Sequence, residues 1–279
     1  MVNIAQLIDD SIKQLEAVSD SARLDTELLL CSILKKDRSF LRAWPEYEID
    51  PQQLNAFQQL LKQRLQGMPI AHILGERGFW SLNLKVTPDT LIPRPDTEKL
   101  VELALAMIPD NTPWQILDLG TGTGAIALSI AKEKPACHVT ATDQSAAALG
   151  LAKQNAELNQ VSNTSFVQSN WFAELQNQAF DMIVSNPPYI KEHDPHLIKG
   201  DVRFEPITAL SSGEDGLNDI RTIINNSQAH LNAKGALLIE HGYDQAEAVC
   251  ALLNNAGFAT VEDVKDDSGN PRVAVACCK

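Results

Sequence analysis

Ile116-Leu117-Asp118-Leu119-Gly120-Thr121-Gly122-Thr123-Gly124-Ala125-Ile126-Ala127-Leu128-Ser129-Ile130 is the stretch that decides the fold. It reads as a short apolar strand, a glycine-rich turn and an apolar helix. Glycines let the backbone approach a ligand closely, and the first turn of a helix offers unpaired N–H groups with a partial positive charge. Outward from this unit, strand-like runs recur at 115–118, 138–143, 165–168, 180–185 and 236–240, with helical runs between them. Short apolar strands alternating with helices predict a parallel sheet covered on both faces, an α/β domain of Rossmann-like type. Residues 260–264 and 272–277 flank the turn formers Asp267, Ser268, Gly269, Asn270 and Pro271, so a closing antiparallel pair is expected.

The first part of the chain has helical periodicity. Ile4, Leu7, Ile8, Ile12 and Leu15 form one apolar face and Leu24, Leu28, Leu29 and Ile33 a second. A third helix starts with Asp50 as N-cap and Pro51 at the first helical position, carries Leu54, Phe57, Leu61 and Leu65, and stops at Gly67. Between 75 and 95 the strand-like Phe79, Leu82, Leu84 and Val86 and the helix-excluding Pro88, Pro93 and Pro95 predict a hairpin joining two domains. Asp96 is then placed to cap a helix reaching Ile108. The expected division is a small helical domain at 1–74, a hairpin linker at 75–95 and the α/β domain at 96–279.

Composition limits the function. Of 279 residues 44% are apolar and 21% charged, proportions of a folded globular chain long enough for two domains. No apolar run is long enough to span a bilayer, and Asp9, Asp10 and Lys13 interrupt the N-terminus, so a cytoplasmic protein with no membrane association is expected. The five cysteines are scattered without Cys-x-x-Cys spacing, which suits reduced packing residues. His193 and His196 lie close in sequence but lack further ligands, and no metal is expected. The net charge of −13 divides as −2 over residues 1–75 and −11 over the rest. Duplex DNA binders present basic surfaces, so an acidic α/β domain argues against a nucleic-acid substrate.

Two segments carry chemistry. The glycine turn alone would also fit a nicotinamide cofactor, but Gly-x-Gly-x-Gly departs from the dinucleotide spacing Gly-x-Gly-x-x-Gly. Asp118, just before the turn, should attract a cation better than a pyrophosphate, and S-adenosylmethionine is such a ligand. Asp143 ends the second strand, where an acidic residue takes ribose hydroxyls. Trp171 either faces the adenine or packs as an ordinary aromatic.

The fourth strand runs into Asn186-Pro187-Pro188-Tyr189, at the sheet edge where open α/β folds bind ligands. Two prolines stiffen the chain and leave free carbonyl acceptors, and Asn186 adds a side-chain oxygen. This set suits a planar –NH2 whose lone pair is delocalised. Two acceptors take its two N–H groups, aim the nitrogen at a sulfonium methyl and favour the positive charge that develops on it. Tyr189 is expected to offer a ring face or a hydroxyl to the target.

These segments resemble the bacterial release-factor glutamine N5-methyltransferases, the PrmC/HemK family, over nearly the whole chain. Ile92-Pro93-Arg94-Pro95-Asp96-Thr97-Glu98, Arg203-Phe204-Glu205-Pro206 and Ser212-Gly213-Glu214-Asp215-Gly216-Leu217 are also similar to that family's. The resemblance implies a helical substrate-recognition domain and a class I S-adenosylmethionine-dependent methyltransferase domain. The implied substrate is the Gly-Gly-Gln glutamine of class 1 peptide chain release factors, and the implied products are N5-methylglutamine and S-adenosyl-L-homocysteine. Gly120, Thr121, Gly122, Thr123, Gly124, Asp143, Trp171 and Asn186 would then touch the cofactor. Asn186, Pro187, Pro188 and Tyr189 would bind the glutamine, with Asn186, Pro187 and Tyr189 at the chemistry.

A ribosomal-protein glutamine methyltransferase shares the tetrapeptide, but Pro93 to Glu98 looks more like the release-factor type. Two rivals remain at this level. An adenine-N6 DNA methyltransferase would need a base-reading region, and residues 1–75 lack a clear basic recognition helix. A non-catalytic cofactor sensor would not need Asn186. The polar stretch 191–219 reads equally as a lid and as a surface loop.

Overall fold

The computed structural model describes residues 2–279. Two compact units form: one runs to Glu76 and takes in Lys199–Phe204, the other holds Arg77–Ile198 and Glu205–Lys279.

The first unit is helical, with α1 (Ile4–Leu15), α2 (Ala22–Leu34), α3 (Arg38–Ala43), α4 (Pro51–Leu65) and α5 (Ile70–Leu74). The expected start of the third predicted helix holds: Asp50 accepts from the Gln52 and Gln53 amides, and Gln53 reaches back to close a capping box. Two short helices, α3 and α5, escape a period-based reading because six and five residues are too few to show one. The buried face of α2 is rotated from the expected one. Leu29, Leu30 and Leu34 enter the core while Leu24 is 40% exposed. The cause is polar: Asp25 on that face is buried against Arg64, Nε to Oδ2 2.7 Å. Arg64 also donates to the Met68 carbonyl at 3.0 Å and to Asp201 at 2.9 Å, which ties Lys199–Phe204 into this unit. Its guanidinium spends its donors on fixed acceptors, as a buried charge must.

The second unit opens with a hairpin of β1 (Glu76–Phe79), whose first residue is the last of the helical unit, and β2 (Leu82–Lys85). Phe79, Leu82 and Leu84 belong to the same apolar cluster as the sheet, so the hairpin is packed rather than a free connection. Next come α6 (Glu98–Met107), β3 (Gln115–Leu119), α7 (Ala125–Glu133), β4 (His138–Asp143), α8 (Ala146–Leu158), β5 (Thr164–Gln168) and β6 (Phe180–Ser185). The chain closes with α9 (Asn218–Ser227), β7 (Leu231–Glu240), α10 (Ala246–Ala256), β8 (Thr260–Lys265) and β9 (Pro271–Cys277). The helix expected from an Asp96 cap begins instead with a 3-10 turn at Pro95–Thr97. Asp96 is drawn to Arg272 at 3.3 Å, an ion pair that no local signal announces.

The sheet has seven strands in the order β5-β4-β3-β6-β7-β9-β8. β3 to β7 are parallel, and β9 enters antiparallel between β7 and β8. Alternation along the strands separates two cores. Ile116, Met182 and Val184 join Leu100 and Leu128 on one face, while Leu117, Ile183 and Leu237 join Ile220, Ile223 and Leu253 on the other. Among the described residues no helix is long and apolar enough to cross a membrane.

Candidate active site

Strand order brings the two chemical segments together. β4 and β5 lie on one side of β3, β6 and β7 on the other, so the chain reverses its direction of growth between β3 and β6. At such a switch point the loops leaving the strands diverge and open a crevice at their C-terminal ends. Leu119 of β3 is in register with Ser185 of β6, and the Ser185 hydroxyl donates to the Leu119 carbonyl at 2.8 Å. Gly120 and Asn186 are therefore the next residues out of two adjacent strands. Both line one cavity of about 620 Å³.

The glycine turn is built as expected. Gly120 and Gly124 have φ of +72° and +86°, values that side chains rarely adopt. A Cβ on Gly124 would also stand 2.9 Å from a Leu128 methyl, and one on Gly120 3.4 Å from the Trp171 ring. The Thr121 amide donates to the Thr142 carbonyl at 2.8 Å, which anchors the turn to β4.

Asp118 has a different task from the expected one. It is fully buried and is not part of the cavity wall. Its Oδ2 accepts from the Thr121 hydroxyl at 2.7 Å and from the Ala127 amide at 3.2 Å, so the carboxylate serves the turn and the first turn of α7. Burial raises its pKa to about 7 against those hydrogen bonds. The acidic groups that do reach the cavity are Asp89, Asp143 and Asp219, and the one cation among the wall residues, Arg94, is held by Glu205 at 2.6 Å. The wall thus favours a cationic ligand.

Asp143 receives the Gly122 amide on Oδ2 at 3.0 Å and the Ser145 amide on Oδ1 at 2.9 Å. Burial raises its pKa, and these amides oppose the shift. Trp171 lines the cavity in a left-handed conformation, φ +50°. Its Nε1 donates to Asp219 at 3.2 Å, and Asp219 in turn accepts from the Ser212 hydroxyl at 2.6 Å. A non-glycine residue held at positive φ beside a cavity marks a place where local strain is offset by its surroundings.

In the tetrapeptide, Asn186 is half-buried and its Nδ2 donates to Thr97 Oγ1 at 3.0 Å. Asn186 and Pro188 reach the cavity wall, whereas Pro187 is buried and Tyr189 stands behind it. The Tyr189 ring packs on the core beneath α9 and its hydroxyl lies 3.4 Å from Glu240 Oε1. Burial raises the Tyr189 pKa, so it stays a neutral phenol. The turn is pinned from outside: Gln245 Nε2 donates to the Tyr189 carbonyl at 3.0 Å, and Ile190 exchanges backbone hydrogen bonds of 2.8 and 2.9 Å with Leu210 and Ser212.

Several residues of this neighbourhood had no role assigned from sequence. Thr97, Arg94 and Glu205 fall in segments singled out above and Asp219 lies two residues past the last of them, yet nothing local said that Arg94 would meet Glu205 or Thr97 would meet Asn186. Glu240 could have been noticed as a carboxylate ending the buried run Ala236-Leu237-Leu238-Ile239 at the same sheet edge. His196 contacts Asp194 at 2.7 Å, and among the described residues no three His, Cys, Asp or Glu side chains gather as a metal requires.

Comparison with known proteins agrees with this arrangement. Residues 6–75 match the PrmC N-terminal domain and residues 98–200 the methyltransferase small domain. The release factor glutamine methyltransferase of Salmonella typhimurium is 50% identical over 266 residues, covering 95% of each chain. That of Pseudomonas aeruginosa is 51% identical over 275 residues, covering 99% of this chain and 98% of its own. Solved structures share the fold. A methyltransferase from Pyrococcus furiosus superimposes with a TM-score of 0.53 at 19% identity, over 71% of this chain and 89% of its own. The T. thermophilus 16S rRNA N2 G1207 methyltransferase does so with a TM-score of 0.53 at 20% identity, over 73% and 50%. On near-complete coverage at half identity, with the helical unit matched as well as the sheet, this chain belongs to the release factor glutamine methyltransferase family.

Proposed function

We propose that this chain transfers the methyl group of S-adenosyl-L-methionine to the N5 amide nitrogen of the Gly-Gly-Gln glutamine in class 1 peptide chain release factors. The observation that carries the reading is the shared cavity: Gly120 and Asn186 leave neighbouring strands at one register and line one space. Mass spectrometry of the Gly-Gly-Gln peptide after incubation of release factor with enzyme and cofactor tests it. A gain of one methyl on the glutamine is expected; label appearing only in duplex DNA would reverse the assignment.

Bound, S-adenosyl-L-methionine supplies an electrophilic methyl on a sulfonium. The protein's part is to orient and to stabilise. Gly120, Thr121, Gly122, Thr123 and Gly124 form the cradle, in which positive-φ glycines leave room and α7 presents its N-terminus. Trp171 forms a wall, and Asp143 is assigned to the ribose hydroxyls. Asp143→Ala should weaken cofactor binding by about 10- to 100-fold, the loss of a charge-assisted hydrogen bond of about 1.5–3 kcal/mol. Calorimetric titration measures it, and an unchanged Kd would remove Asp143 from that role.

An amide nitrogen is a poor nucleophile because its lone pair is delocalised. With Nδ2 committed to Thr97, Asn186 has its Oδ1 left to accept one N–H of the glutamine. The Pro187 carbonyl is assigned the other, Pro188 bounds the pocket, and Tyr189 fixes the turn through its ring and hydroxyl. Holding the nitrogen in line with the methyl removes roughly 7–11 kcal/mol of barrier, so no strong base is required before transfer. The amide proton is lost after methylation, when the nitrogen is cationic and acidic.

The acidic charge of the second unit favours a protein substrate over a nucleic acid, and a release factor would be met in the cytoplasm. The helical unit is proposed to recognise that substrate.

A further inference from the structure

We propose that Asp219 is a positioning residue that acts through Trp171, holding the indole ring as a fixed wall for the cofactor. The inference rests on the assignment of Trp171 to the cofactor above and adds what keeps that ring in place.

A tryptophan beside a cavity has several ways to stand. Its indole can swing to another rotamer or turn over, and each alternative offers the ligand a different surface. Trp171 packs on the core from one side and lines the cavity with the other, so packing holds it from one side only.

The two ends of the ring are fixed by different means. At the six-membered end, Cζ3 and Cη2 lie 3.4 and 3.7 Å from where a Cβ on Gly120 would stand, so this edge abuts the glycine turn. At the other end Nε1 donates to Asp219 Oδ1 at 3.2 Å. An indole N–H can only donate, and a carboxylate oxygen is the partner it needs. The main chain is held as well: the Ser169 hydroxyl donates to the Trp171 carbonyl at 2.8 Å, which secures the left-handed backbone.

Asp219 is itself locked. It stands in the first turn of α9, where its amide donates to the hydroxyl oxygen of the buried Ser212 at 2.8 Å and that hydroxyl donates back to Oδ2 at 2.6 Å. The reciprocal pair leaves Oδ1 for Trp171. Ser212 in turn donates its amide to the carbonyl of Ile190, the residue after Tyr189, at 2.9 Å. The indole therefore reaches from the cofactor turn to a carboxylate that is anchored on the substrate turn.

Asp219→Ala removes the acceptor and frees the ring. The Kd for S-adenosyl-L-methionine, read by calorimetric titration, is expected to rise roughly 10-fold, the loss of one hydrogen bond to a carboxylate. Trp171→Phe, which keeps a ring but has no N–H, should weaken binding similarly. The Trp171→Phe, Asp219→Ala double variant should bind no more weakly than Trp171→Phe alone, since the second change acts through the first. Asp219→Asn should recover to within about threefold of the parent, because the amide oxygen still accepts from the indole while its nitrogen donates to the Ser212 oxygen. That recovery separates holding the ring from attracting a sulfonium, since a contribution of charge would be lost in both Asp219 variants alike. A parental Kd in Asp219→Ala, a further loss in the double variant, or no recovery in Asp219→Asn would overturn the proposal. Should Asp219→Ala fail to fold, a parental Kd in Trp171→Phe overturns it equally. Trp171→Ala tells the two failures apart: a parental Kd there means that Trp171 does not face the cofactor, whereas a weakened one beside a parental Asp219→Ala removes only the anchor.

Discussion

Asn186→Ala is expected to lower turnover by about 10²- to 10³-fold while leaving cofactor affinity within a few-fold of the parent. The magnitude is that of removing one preorganised hydrogen-bonding group from a developing charge, roughly 3–4 kcal/mol. Affinity should survive because the cofactor cradle is held by other groups: Thr121 by the Thr142 carbonyl, Gly122 by Asp143, and α7 by Asp118. Alanine also leaves no charge stranded, since the group that loses a donor is the neutral Thr97 hydroxyl. Single-turnover methylation of release factor, with calorimetry for the cofactor, separates the two effects. Parental turnover in this variant would end the assignment of Asn186 to the substrate nitrogen.

The second large effect is expected from Gly216→Ala, at a residue outside the cavity wall. Gly216 has φ +77°, and a Cβ there would stand 2.3 Å from the Tyr189 carbonyl oxygen and 2.9 Å from Gln245 Nε2. The first of these is backbone and cannot swing aside. That carbonyl is the one Gln245 holds at 3.0 Å, so the methyl must push on the seat of the tetrapeptide. The left-handed conformation adds about 1–3 kcal/mol of strain for a non-glycine residue. We expect Tm to fall by on the order of 5 °C, and turnover to fall well beyond any change in cofactor affinity. Gly150→Ala is the control. It lies in α8 with nothing within 4 Å of the added atom, so it should stabilise by roughly 0.5–1 kcal/mol. Equal behaviour of the two variants would show that the close approach at Gly216 has no consequence for the site.

The parts of this molecule legible in its sequence are those governed by neighbours along the chain. Strands β4 and β6 match their expected bounds because an apolar run flanked by helices has few other solutions. The three glycines announced their turn, and the positive φ values explain why glycine stands there. Asp50 announced the start of α4 because a cap acts within three residues. Where the reading missed, a distant partner had intervened. Arg64 turned α2 by burying Asp25, and Arg272 took Asp96 from the helix it was expected to cap. Asp118, read as facing a ligand, points instead into the base of α7.

By itself the sequence determined the α/β class, the glycine turn, the stiff Asn-Pro-Pro-Tyr turn at a strand end and the family to which both belong, because each depends on residues a few positions apart. Only the tertiary structure decided which way the Asn186 amide hydrogen-bonds and which carboxylates line the cavity. Asn186 and Thr97 are 89 positions apart, and Arg94 and Glu205 are 111 apart. Hydrogen-bond direction and burial are properties of what surrounds a group in space, and strand order, not chain distance, sets those surroundings.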